Sequence, residues 1–316
     1  MKRRLILALK VSVSLGLLGW VVHTAVTRDG AGALGARLAA LSWPFVGLAV
    51  IVQLGAVGAG VLRWRVLLAS RGITLPLGWL ARSYLVGRFA GTFTPSTAGL
   101  DVYRVWAVAR HTGERARATA AIVVEKIVGL LALSLACVLL LPLGGTRFFG
   151  PSAIAAAACI LVGSIAALLV LRSGALVRVR WLARLRLGEL DRGVLARATG
   201  LGLISHIATS AVFVATAAAL GLDVSPLSVL VVGNAIVVAT LIPVSVGGLG
   251  VREGVAVALL AAVGISATEA TLVALLDYLV GQVPRIAGEL LTLGRRSRAR
   301  SAPALATIAT PASGTP

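Results

Sequence analysis

Residues 43–62 read WPFVGLAVIVQLGAVGAGVL, and Arg63-Trp64-Arg65 follows at once. That is twenty residues without a charge. At a rise of about 1.5 Å per residue they make a helix about 30 Å long, the thickness of a bilayer's hydrocarbon core. A helix closes its backbone hydrogen bonds within itself, which lipid requires of any segment that crosses it. The stretch predicts a transmembrane helix that ends at a polar boundary.

Working outward, five more runs are long and apolar enough to span: 5–26, 119–141, 151–171, 198–220 and 267–293. Over the 316 residues, 58% are hydrophobic and 13% charged, with a mean hydropathy of +0.98. Soluble domains carry about 25% charged residues, so this chain lacks the polar surface to cover a water-soluble globule. The expected fold is all-α, a polytopic integral membrane helical bundle over residues 1–295. A tail at 296–316 starts basic and continues as an Ala-, Pro-, Thr- and Ser-rich stretch expected to be disordered. The run at 5–26 is longer than a secretory h-region and lacks a clear small-residue cleavage site, and it reads as a retained signal anchor.

The formal charge of +19 does not point to nucleic acid once its distribution is followed. Twenty-two of the 30 Lys and Arg fall in five stretches around residues 2–10, 63–71, 104–117, 172–197 and 295–300; the intervening connections hold only Arg28, Arg37 and Arg147. This bias fixes orientation by the positive-inside rule. Both termini are expected to be cytoplasmic, in a multi-pass protein of the cell (plasma or inner) membrane, and the basic loops favour anionic headgroups over nucleic acid.

Two further apolar stretches fit no straight crossing. Residues 76–100 carry Arg82 and Arg88 and break at Pro95 and Gly99; residues 226–264 are interrupted by Pro243, Gly247, Gly248 and Gly250. By charge and parity the first enters and leaves on the cytoplasmic side and the second on the outer side. Both predict re-entrant or broken helical hairpins, tolerated where freed backbone groups are buried in protein or line a wet cavity. Each proline is followed four residues later by glycine and nine later by arginine, Arg104 and Arg252. Opposite entry sides and a shared pattern have the form of an inverted-topology repeat.

Ionisable groups inside a membrane are costly and are functional candidates for that reason. Arg82, Asp101, Arg104, Glu125, Arg252 and Glu253 lie in or beside the two breaks, with Lys126, Asp277, Arg285 and Glu289 on neighbouring apolar runs. Glycines that expose backbone amides, a helix start after each break and an arginine fork together suit a phosphate. The bland alternatives are mutual ion pairing that only holds the bundle together and glycines that only permit close helix packing. Glu125 is within reach of Arg104 or Arg82 as an ion pair, Asp277 could answer Arg252 or Arg285, and His206 reads as a packed polar group. Three scattered histidines and two cysteines in apolar runs have no metal-ligand spacing. Neither a Walker loop nor a nucleophile elbow is present, so no cofactor is expected and nothing points to ATP.

The run Arg63-Trp64-Arg65-x-Leu67-Leu68, the Tyr84-x-x-Gly87-x-Phe89 helix, the break from Pro95 to Arg104, Glu125-Lys126, and Pro243-x-Ser245-x-Gly247-Gly248-Leu249-Gly250-x-Arg252-Glu253 carry a resemblance. Together they are similar to the flippase-like transmembrane region of lysylphosphatidylglycerol synthases, shared with YbhN-type and AglD-type membrane proteins. The likeness covers almost all of residues 1–295. It implies a lipid-handling membrane domain that moves or binds an anionic or phosphate-bearing lipid. The soluble aminoacyltransferase domain of the synthases has no counterpart here, so lysine transfer is not expected. Asp277-Tyr278 stands where the family pattern would have Tyr-Arg.

The resulting expectation is a lipid translocator or headgroup-binding permease that is not ATP-driven. Its headgroup site is drawn from Arg82, Pro95, Gly99, Asp101, Arg104, Glu125, Pro243, Gly247, Gly248, Gly250, Arg252 and Glu253, with Arg104 and Arg252 on the phosphate. Two rivals stand beside it. One is a membrane-embedded transferase with a polyprenyl-phosphate-linked donor and Asp101 or Glu125 as base; the other is an accessory subunit of a membrane-bound enzyme.

Overall fold

The computed structural model describes residues 36, 39–92, 98–140, 142–143, 150–173, 191–239 and 251–301. Nine helices lie among them: α1 (Trp43–Ala69), α2 (Leu77–Gly91), α3 (Ala98–Thr112), α4 (Arg115–Leu140), α5 (Pro151–Arg172), α6 (Arg192–Ala219), α7 (Pro226–Ala239), α8 (Val251–Ala261) and α9 (Ala267–Ser301). The described residues contain no strand.

Local sequence explains where the helices start and stop. Pro44 occupies the first turn of α1, where its missing N–H costs nothing. Asp191 caps α6, its carboxylate accepting from the amides of Gly193 (2.8 Å) and Val194 (3.2 Å). Ser266 and Glu269 form a reciprocal capping box at the start of α9. Glycines at positive φ close four turns: Gly72, Gly113, Gly221 and Gly264. Asp191→Ala should lower stability by about 0.5–2 kcal/mol, read as a lower midpoint of thermal unfolding in detergent.

Four helices are long and apolar enough to cross a membrane by length and composition: Trp43–Ala69, Arg115–Leu140, Arg192–Ala219 and Ala267–Leu293. Each corresponds to an expected span, but three of them extend into the flanking basic stretch. α1 runs past Leu62 through Arg63 to Ala69 because Trp64, Leu67 and Leu68 are fully buried and hold those turns against the bundle. The expected span at 151–171 is helix α5; the one at 5–26 lies outside the described residues. α9 continues through the basic stretch to Ser301, so the start of the expected tail is helical, and residues 302–316 lie outside the described ones. The hairpin expected at 226–264 is the helix pair α7 and α8. The one expected at 76–100 is instead α2 followed by an α3 that runs on to Thr112 through the stretch expected as a basic loop, because Arg104 and Val108 are buried.

Large apolar side chains cover the outside, among them Ile51 (67% exposed), Val162 (65%) and Leu279 (60%). Such a surface is tolerable against lipid and not against water. Inside, one cluster surrounds Trp64, Leu80, Tyr84, Val108 and Val124, and a second surrounds Phe213, Val232, Ile236, Leu260 and Val273.

The packing order has an internal symmetry. α1 and α6 lie antiparallel: the Ser42 amide donates to the Ala219 carbonyl (2.8 Å) at one end, and Ser205 Oγ donates to the Ala56 carbonyl (3.0 Å) near mid-helix. Exchanging α1, α2, α3 and α4 for α6, α7, α8 and α9 turns each packed pair among these eight helices into another packed pair. Thus α1 on α2 answers α6 on α7, α2 on α9 answers α7 on α4, α3 on α4 answers α8 on α9, and α4 on α6 answers α9 on α1. Helix α5, packed on α4, stands outside this exchange. With α1 and α6 antiparallel, the halves are inverted relative to one another, the arrangement expected from the two breaks. Glu125 and Asp277 occupy corresponding places, each the eleventh residue of its helix and each 3% exposed.

Candidate functional site: a buried ionic network behind the first break

Helix α3 begins at Ala98, directly after the first break, so Asp101 lies in its first turn. There the positive end of the helix favours a carboxylate. Arg104 follows one turn later on the same face, and its Nη2 donates to Asp101 Oδ1 at 2.6 Å. Its Nη1 donates to Glu125 Oε2 on α4 at 2.9 Å. The other Glu125 oxygen accepts from Arg63 Nη2 of α1 at 3.2 Å, and the other Asp101 oxygen pairs with Lys126 Nζ at 2.6 Å. The order Arg63, Glu125, Arg104, Asp101, Lys126 alternates in sign and ties α1, α3 and α4 together.

Burial grades along this chain of charges. Arg104 is 1% exposed and Glu125 3%, whereas Lys126, at the far end, is 46% exposed. The Arg104 guanidinium lies against two neighbouring rings, its Cζ 5.1 Å from the Trp64 centroid and 4.9 Å from that of Tyr84, so cation–π attraction supplements the carboxylates. Gly129 and Gly202 leave the slot in which the Arg63 guanidinium lies; a Cβ on Gly202 would sit 3.1 Å from Arg63 Nη1. Arg63 Nε and Nη1 and Arg104 Nε are buried without an acceptor among the described residues. Among the described residues the network holds three cations and two carboxylates. Removing charges from water is expensive, and here two carboxylates bridging three cations offset that cost only as a unit.

Of the residues expected in the headgroup site, the structure brings Asp101, Arg104 and Glu125 together, with Gly99 in the same first turn of α3. Between the two anticipated partners of Glu125, the geometry chooses Arg104. Arg82 lies elsewhere: its Nη2 donates to the Leu291 carbonyl at 3.1 Å and links α2 to α9. Pro95, Pro243, Gly247, Gly248 and Gly250 lie outside the described residues. Arg252 and Glu253 fall in the first turn of α8, with their side chains outside the described ones. His206 is packed as expected, its Nε2 donating to the Gly129 carbonyl at 3.2 Å.

Sequence reasoning left Arg63, Trp64 and Tyr84 out of the site. Arg63 reads as a loop charge when α1 is ended at Leu62. The signal that could have found it is the buried set Trp64, Leu67 and Leu68, whose spacing carries the helix two turns further and places Arg63 beside α4.

A family model described as the lysylphosphatidylglycerol synthase TM region matches residues 7–288, a span that takes in α1 to α8 and most of α9. Comparison with curated proteins gives no match. The apolar helices and this match make the chain a multi-pass membrane protein. A match over most of its length, with the ionic network and inverted halves lying inside it, means that the chain belongs to the family of the lysylphosphatidylglycerol synthase transmembrane region.

Proposed function

We propose that this protein binds the headgroup of an anionic or phosphate-bearing lipid and moves that lipid between leaflets of the cell membrane without ATP. The observation that carries the reading is the gradient of burial along a chain of charges whose outer end, Lys126, is half-exposed while its centre, Arg104, is buried. A phosphate that meets Lys126 pairs with its ammonium, and by competing with Asp101 it gains a path to the buried guanidinium. Charge-assisted hydrogen bonds to phosphate are strong enough to offset the exchange. Asp101 and Glu125, the carboxylates a transferase would use as base, each accept from two cations, which favours translocation over proton transfer. Membership of the family supports lipid as the substrate, and inverted halves suit a site reached from either leaflet in turn.

The test is reconstitution of the full chain in vesicles with a fluorescent phosphatidylglycerol, quenched from outside by dithionite. Wild-type protein is expected to expose inner-leaflet label faster than protein-free vesicles do, and faster for phosphatidylglycerol than for phosphatidylcholine. Lys126→Gln, at a half-exposed position that leaves the Arg104–Glu125 pair in place, should slow it several-fold. Rates equal to those of protein-free vesicles would overturn translocation, and equal rates for both lipids would overturn headgroup recognition.

A further inference from the structure

On another face of α3 from that of Arg104, a cavity of about 490 Å³ lies between α2, α3 and α9. That volume is in the range of about 300–1,000 Å³ usual for small-molecule sites. Two helices present it with one face each. Trp79, Arg82, Ser83 and Val86 follow at helical spacing on α2, as do Tyr103, Trp106, Ala107 and Arg110 on α3. Among the described residues the lining contains two arginines and His111 and no carboxylate. These side chains are also positioned. Arg82 is held by the Leu291 carbonyl at 3.1 Å, Arg110 stacks with its Cζ 5.4 Å from the Trp106 centroid, and His111 lies 5.1 Å from Trp79, ring centre to ring centre. Tyr103 and Trp106 pack with centroids 5.6 Å apart and complete an aromatic wall.

Unbalanced positive charge with aromatic walls defines the ligand chemically: an anion that offers several acceptor oxygens and carries an apolar or hydroxylated group to lie against the rings. We propose that this cavity is a second binding site, for a phosphate ester, separate from the ionic network behind the first break. In the orientation the loop charges predict, it opens at the cytoplasmic face. Trp106 of the lining is 51% exposed, the amphipathic ring found where membrane proteins meet the headgroup layer. A lipid headgroup and a soluble phosphate ester share this chemistry, and the two are told apart by competition.

The experiment is a titration of the full chain in neutral detergent with short-chain phosphatidylglycerol, followed by tryptophan fluorescence, with phosphatidylcholine as reference. Phosphatidylglycerol is expected to bind at least tenfold more tightly than phosphatidylcholine. The Arg82→Gln/Arg110→Gln variant should lose at least tenfold of that affinity, and Arg197→Gln, an exposed arginine outside the cavity, none. Arg110→Gln alone leaves the bond from Arg82 to Leu291 intact and should lose several-fold, which keeps the test valid if the double variant fails to fold. Competition by sn-glycerol 3-phosphate would assign the site to soluble phosphate esters, and its absence to lipid; either outcome supports a phosphate-ester site. Equal affinity for the two lipids, or an unchanged affinity in Arg110→Gln, overturns the proposal. The Lys126→Gln transport result is independent of this titration, so either reading can fail alone.

Discussion

Glu125→Leu is expected to destabilise the protein by about 3–5 kcal/mol, the cost of breaking a buried ion pair from one side, and to bring lipid translocation down to the rate of protein-free vesicles. The side chain is 3% exposed and accepts from both Arg104 and Arg63. Its loss leaves Arg63 without a carboxylate and Arg104 with Asp101 alone, in a region where Trp64, Tyr84 and Val124 exclude water. Removing the opposite charge as well is the informative companion. Arg63→Met/Glu125→Leu leaves the Arg104–Asp101 pair and should recover most of the lost stability, since an ion pair replaced by apolar groups of similar volume is often neutral. Translocation should not recover with it if the graded network is what carries a phosphate inward. Thermal unfolding in detergent and the dithionite assay separate the two effects. A Glu125→Leu protein as stable as wild type would mean that the Trp64 and Tyr84 rings, and not the carboxylates, hold Arg104.

The lipid-crossing character of the chain was legible because it rests on run length, and a twenty-residue uncharged run has few other physical outcomes. The halves were legible for a related reason: Pro95 and Pro243 interrupt apolar runs, and a broken run that returns to its own side must be a hairpin. What sequence hid is lateral. Nothing in the order of residues states that Ser205 meets Ala56 or that α2 lies on α9, because lipid-facing and helix-facing surfaces are both apolar. The same limit explains the treatment of the arginines. Arg104 and Arg82 each follow a helical apolar face, yet one is buried against two rings and two carboxylates and the other tied to a carbonyl of a distant helix. Only the partner helix distinguishes them. Asp277 shows the converse. As a departure from the family pattern it looked anomalous, whereas its position opposite Glu125 in the inverted repeat gives each half a buried carboxylate on its last helix.

Gly288→Ala is the substitution expected to do most damage for the smallest change in volume. Gly288 on α9 lies directly against the Leu85 carbonyl of α2, and an added Cβ would overlap that backbone group. Backbone cannot swing aside as a side chain can, so the two helices must separate. Overpacking costs about 1–3 kcal/mol and occasionally more, and the upper end applies because both helices are long and fixed by other contacts. Two glycines calibrate the result. At Gly87 a Cβ would meet the flexible end of Leu100, at 2.8 Å from Cδ1, so Gly87→Ala should cost less. At Gly281 nothing lies within 4 Å, and Gly281→Ala should be neutral or stabilising by up to about 1 kcal/mol. The ranking Gly288, Gly87, Gly281 is read from thermal unfolding midpoints in detergent. Separation of α2 from α9 would also stretch the bond from Arg82 to the Leu291 carbonyl and widen the cationic cavity between them. Gly288→Ala should therefore weaken phosphatidylglycerol binding there, with every cation of the lining still present. If Gly288→Ala proves as harmless as Gly281→Ala, α2 and α9 stand at least a methyl group further apart in the membrane, and the tie between the first hairpin and the last helix is looser than this packing requires.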